Sequence, residues 1–280
     1  MSADRISDNR SSNRLVARPW SALTRHWSLT REMAKRDVLG RYRGASFGLL
    51  WSLISPFLML MVYTFAFGTV MKGRWPEIEA GHTQYSIILF AGLVVHGFFA
   101  ECLNKSVGLI VGNPNFVKRV IFPLEILPWP MVLSALFHTL MNLLVFLVLR
   151  VIMDGEIAAT TYLFPVVMLP LVVLMMGVSW LMAAAGVYFR DLGQITGVLS
   201  MAMLFLSSAM MPVESVPEKY RWVFQVNPLT FIIDQARNVL LWNRMPDWQG
   251  MGYYMLVGLA IFYLGYLAFS ATRKGFSDVL

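Results

Sequence analysis

Arg31, Lys35, Arg36, Arg41 and Arg43 crowd into the stretch LTREMAKRDVLGRYRG, just ahead of the first long apolar run. Cations so placed suit phosphate oxygens, and an arginine fork can take two such oxygens at once. Glu101 and Lys105 stand four residues apart within an apolar stretch, the spacing that pairs opposite charges on one helix face. Glu101 is therefore a candidate pathway residue, with a helix-end ion pair beside headgroups as the alternative. Arg190 and Asp191 are the only Asp, Glu, Lys or Arg residues between Tyr162 and Met211. As a single helix that run would reach about 75 Å, more than twice the ~30 Å hydrocarbon core of a bilayer. Two crossings joined at a wet turn fit better, and the charged pair is the turn.

Other chemistries lack their residues. No Gly-Lys dipeptide occurs, so no phosphate-cradling loop for nucleotide is present. The four histidines, His26, His82, His96 and His138, lack metal-ligand spacing to one another or to carboxylates. His96 and His138 fall inside apolar windows, where a lone histidine usually bonds a neighbouring helix. No nucleophile, base and carboxylate can be assembled, so neither catalytic residues nor a metal site is assigned. The single cysteine, Cys102, rules out an intrachain disulfide framework.

These residues must be positioned by membrane helices. Of 280 residues, 57% are hydrophobic and 14% charged, against about a quarter charged in soluble domains. Six windows read as spans: Ala45–Met71, Tyr85–Val111, Leu127–Met153, Tyr162–Phe189, Leu192–Met211 and Met251–Thr272. Most of the 23 Lys and Arg residues then fall on the side of the N-terminus, which places both termini in the cytoplasm. The net charge of +7 is accounted for by topology and lipid headgroups, without nucleic acid. Residues 1–27 read as a disordered basic tail and 276–280 as a short cytoplasmic end. Residues 28–47 read as an amphipathic helix on the cytoplasmic interface, or as a generic basic anchor.

The segment 212–250 is not loop-like. Leu229, Ile232, Ile233, Ala236, Val239 and Leu240 follow helical spacing, and Pro228 suits the start of that helix. A shorter helix opens at Pro217. The pair reads as a re-entrant hairpin, or as two helices lying flat on the outer leaflet. The fold expected is all-α: six transmembrane helices, an N-terminal interface helix, and two short re-entrant helices before the last span.

Four motifs in this order resemble a known family: KRDVLGRYRGASFGLLWSLISP, NPNFVKRVIFPLEILP, YFRDLGQI and MPVESVPEKYRWVFQVNPLTFIIDQAR. Across roughly residues 28 to 275 the chain is similar to permease subunits of ATP-binding-cassette exporters of surface polysaccharide, including O-antigen, capsule and teichoic-acid transporters. Two positions depart from the family pattern: Met211 stands where Ser is frequent, and His96 where an aromatic is common.

The resemblance implies a homodimer that works with two copies of a separate cytoplasmic ATPase, which binds the ATP and Mg. It implies an inner-membrane exporter of polysaccharide carried on polyprenyl pyrophosphate, not an enzyme in its own right. Arg31, Lys35, Arg36, Arg41 and Arg43 would belong to a gate helix that guides the pyrophosphate. Lys118, Arg119, Glu125, Arg190 and Asp191 would meet the ATPase, and Pro212, Pro217, Trp222, Asn227 and Pro228 would shape the outer gate. A drug or lipid exporter permease shares the same topology, and a teichoic-acid exporter shares the family. A membrane transferase and a self-sufficient channel are the more distant alternatives.

Overall fold

The structure is a computed structural model that describes residues 19–66, 85–117 and 122–279. Among them α1 (Pro19–Arg25), α2 (Trp27–Arg41) and α3 (Trp51–Tyr63) precede α4 (Tyr85–Val107) and α5 (Pro128–Asp154). Then follow α6 (Phe164–Tyr188), α7 (Leu192–Phe205), α8 (Glu218–Val226), α9 (Pro228–Leu240) and α10 (Trp248–Thr272). No strand occurs among the described residues.

Five helical stretches are long and apolar enough to cross a membrane: Gly48–Ala66, Tyr85–Val107, Leu124–Asp154, Ala159–Tyr188 and Trp248–Gly275. The window expected at Leu192–Met211 differs. Its helix stops at Phe205, and a shorter run such as α7 rises about 21 Å, less than the bilayer core. The tail boundary differs too, because α1 begins at Pro19 and its Trp20 ring stacks on Phe262 at 4.9 Å. The helix expected over 28–47 ends at Arg41, and turns lead on to Gly48.

Local sequence explains the boundaries. Pro128 opens α5, where its missing N–H costs nothing, and Gly155 closes it at φ 79 with its N–H on the Val151 carbonyl. Asp247 caps α10 by accepting from the N–H groups of Gln249 and Gly250, both at 3.1 Å.

Helix α4 forms the centre of the bundle, packed against α5, α6, α7 and α9. Its apolar residues from Ile87 to Val95 are almost entirely buried. Helices α6 and α10 make the most extensive pairing, through glycine. A Cβ on Gly265 would fall 2.2 Å from the Gly177 carbonyl oxygen, and one on Gly177 would fall 2.4 Å from that of Ile261. In lipid, where apolar surface alone gives helices no reason to associate, such backbone approach supplies the packing. By contrast α3 and α7 stay mostly uncovered, with Phe57, Met61, Val198 and Met201 exposed.

Candidate functional site

The bundle has two ends, and each gathers polar groups. At the end carrying α2, three helices converge on one carboxylate. Glu101 on α4 accepts from Arg41 of α2 at 3.0 Å and from Lys105, one turn on, at 2.9 Å. His138 Nδ1 on α5 lies 2.9 and 3.0 Å from the two oxygens of Glu101. Lys105 also reaches Asp37 of α2 at 3.1 Å. The Glu101 side chain is only 14% exposed, and three donors offset the cost of burying its charge.

Facing a carboxylate, Nδ1 of His138 is the donor. Arg41 Nη1 is 3.2 Å from Nδ1, but both are donors here, so Glu101 is what holds them together. Nε2 is buried and makes no hydrogen bond with the described residues.

Two cavities flank the cluster and share Arg41, Asn104 and Lys105 as their common wall. One, about 680 Å³, runs beside α2 and includes Arg36, Asp37 and Asn113. The other, about 530 Å³, continues between α3, α4 and α5. Of the remaining cations expected to face phosphate, Arg31, Lys35 and Arg43 are exposed and form no ion pair among the described residues. Just outside the spans, burial raises the Tyr42 hydroxyl above its ordinary pKa.

The same end carries the residues expected to face a partner. Arg190 and Asp191 are exposed in the turn between α6 and α7. Glu125 pairs with Arg273 at 2.8 Å, and its backbone carbonyl accepts from Trp180 Nε1 at 3.0 Å. Tyr188, next to the turn, donates to the Thr272 carbonyl at 3.2 Å. Those three contacts tie α6, α10 and the start of α5. Lys118 and Arg119 lie outside the described residues.

At the opposite end the chain breaks helix after Phe205, and the freed carbonyls need donors. Asn227 Nδ2 reaches the carbonyls of Met203 at 3.0 Å and Leu206 at 2.9 Å. Its Oδ1 accepts from Leu229 N at 2.9 Å, capping α9. Arg237, 2% exposed, donates to Ser208 at 2.6 Å, Ala209 at 2.9 Å and Ile88 of α4 at 3.1 Å. Tyr85 supplies the Met210 carbonyl at 2.6 Å. Pro228 opens α9, Pro217 precedes α8 and is exposed, and Pro212 is buried. Trp222 points outward, 63% exposed.

Sequence reasoning paired Glu101 with Lys105 and did not bring Asp37, Arg41 or His138 to them. Helical spacing sets Arg237 opposite the apolar face of α9, together with Asp234, Gln235 and Asn238, yet it is buried. His96 does bond a neighbouring helix, meeting the Ser200 carbonyl of α7 at 3.0 Å. Among the described residues no group of three His, Cys, Asp or Glu could hold a metal ion.

Residues 28–241 match the family described as ABC-2 type transporter. The O-antigen export system permease protein RfbA of Klebsiella pneumoniae is 24% identical over 250 residues, covering 89% of this chain and 93% of that protein. Its namesake from Myxococcus xanthus is 23% identical over 248 residues, covering 88% and 93%. The polysialic acid transport protein KpsM of Escherichia coli is 25% identical over 244 residues, covering 85% and 91%.

Proposed function

The chain belongs to the ABC-2 type transporter family, and from that premise we propose that it is the permease subunit of an ATP-driven exporter of lipid-linked polysaccharide. The observation that carries the cargo reading is the cation-rich mouth at the α2 end, where Arg36, Arg41 and Lys105 line one cavity. A pyrophosphate travelling at headgroup depth passes the exposed Arg31, Lys35 and Arg43 and is held by these cations. The relatives named for O-antigen and polysialic acid export support polysaccharide as the cargo.

In this reading the protein sits in the cytoplasmic membrane as a homodimer with both termini inside. Segment 28–47 is the gate, residues 48–275 are the transmembrane domain, and 1–27 and 276–280 are the cytoplasmic ends. Helix α7, continued by residues 206–211, makes the sixth crossing. Segment 212–250, with α8 and α9, is the re-entrant outer gate. Two ATPase subunits, which hold ATP and Mg, dock on the Arg190–Asp191 turn, on Glu125 and on Lys118 and Arg119. Their closure pushes the α6–α10 pair, which moves as one body because its backbones touch. Glu101 stands where gate helix and pathway meet.

Gentle extraction and identification of stoichiometric companions tests the assembly: a P-loop ATPase at one copy per permease is expected. Deletion tests the cargo. Unexported lipid-linked glycan should accumulate inside the cell, and its absence would favour a drug or lipid exporter instead.

A further inference from the structure

The cavity between α3, α4 and α5 is more than a vestibule for the charges at its mouth. On α4 its wall follows Phe90, Leu93, Gly97, Glu101 and Asn104 to Lys105, a stripe at three- and four-residue steps. From Phe90 to Lys105 that stripe rises about 22 Å, so the cavity is a groove running into the bundle. Its volume, about 530 Å³, lies within the ~300–1,000 Å³ usual for small-ligand sites.

The lining is graded. The mouth carries Arg41 and Lys105, with Trp51 at the start of α3, and deeper in the walls are aromatic faces from Tyr63 and Phe90. Between them the space is kept open by small residues: Gly97 on α4, and Ser52 and Ser55 on α3. A Cβ on Gly97 would meet only the Asn142 amide nitrogen, at 3.9 Å. Pro56, on the α3 wall, has no N–H for the Ser52 carbonyl, which releases one acceptor from the helix.

Polar groups within the groove stand ready for a ligand. The amides of Asn104 and Asn142 make no hydrogen bond with the described residues. His138 lines the groove at 8% exposure, with its Nδ1 held by Glu101. A lipid tail would not meet these needs. Flat aromatic faces with unpaired amides beside them match sugar rings, whose C–H faces are apolar and whose edges are hydroxyls.

We propose that this groove is a cargo-reading site within each protomer, binding the sugars nearest the diphosphate while Arg41 and Lys105 hold the diphosphate at its mouth. The proposal rests on the polysaccharide-export reading and deepens it. The diphosphate competes with Glu101 for Arg41, so occupancy also loosens the tie between α2 and α4. Reading the first sugars lets the permease distinguish loaded carrier from bare carrier before transport begins.

The test uses the permease with its ATPase in nanodiscs and two probes. One is a short-chain prenyl diphosphate, and the other is the same compound carrying one hexose. Binding of both should weaken about tenfold in Lys105→Gln. In Gly97→Leu, which fills the groove, the sugar-bearing probe should weaken at least tenfold while the bare probe stays within twofold. Gly97→Ala, which the spacing to Asn142 tolerates, should bind both as the wild type does. Unchanged binding of the sugar-bearing probe in Gly97→Leu overturns the proposal, as does equal loss of both probes. Wild-type protein that binds neither probe, from cells whose glycan export depends on it, overturns the site and leaves the exporter reading standing. Glycan export that persists after deletion of the permease removes the exporter reading itself.

Discussion

Arg237 of α9 donates to the carbonyl of Ser208 at 2.6 Å, so a buried cation from one helix completes the backbone of another that has stopped being helical. With its bonds to Ala209 and Ile88 it joins α4, α9 and the break after α7 at one point. Charge-assisted bonds of this kind contribute about 1.5–3 kcal/mol each.

Arg237→Met should therefore lower stability by more than about 3 kcal/mol, because three carbonyls lose a donor where water is scarce. Arg237→Lys keeps the charge but not the fork, so its loss should be intermediate. Protease resistance and thermal unfolding of the purified protein check both; a fully stable methionine variant would mean other donors satisfy the break.

Asn227→Ala removes the cap of α9 and two bonds to the end of α7 together. A cap alone contributes about 0.5–2 kcal/mol, so the expected loss lies above that range. Asn227→Asp should recover the cap, since Oδ1 remains, but not the two donated bonds. Unfolding midpoints of the two variants separate the contributions.

Gly265→Ala places a Cβ 2.2 Å from the Gly177 carbonyl oxygen, and neither backbone can yield without moving a helix. Overpacking of this sort costs about 1–3 kcal/mol or more. Gly252→Ala, on the same helix with open space around it, should cost nothing. Parallel melting curves in one detergent read the contrast directly.

Glu101→Gln strips the charge that draws Arg41, Lys105 and His138 together. Arg41 is half exposed, so the tie between α2 and α4 contributes only about 1 kcal/mol. The visible effect should be local: faster hydrogen exchange across Trp27–Arg41 with α6 and α10 unchanged. Uniform exchange would mean that α2 is held by its packing on α5 alone.

Arg190→Ala combined with Asp191→Ala should leave the melting temperature of the permease unchanged, because both residues are exposed. Export should nonetheless fall at least tenfold while the ATPase still copurifies. Wild-type export from this variant would remove the coupling role of the turn.

Much of the architecture was legible in advance. Long uncharged runs must form helices in lipid, since no water is present to satisfy the backbone, and Pro228 marks where α9 begins. Helical spacing likewise identified the apolar face of α9, every member of which is fully buried. Glu101 and Lys105 could be paired because one turn of a helix separates them.

What one-dimensional pattern could not supply was contact between distant segments. Apolarity alone predicts helix through Met211, yet α7 stops at Phe205, where Asn227 takes the carbonyls of Met203 and Leu206 while Arg237 and Tyr85 take those of Ser208 and Met210. Likewise His138 and Arg41 join Glu101 only once α2 and α5 pack beside α4. The sequence by itself determined that this chain spans membranes, because local chemistry suffices for that. Only the tertiary structure decided where helices break and charges meet, because those outcomes depend on which donor lies within about 3 Å in space.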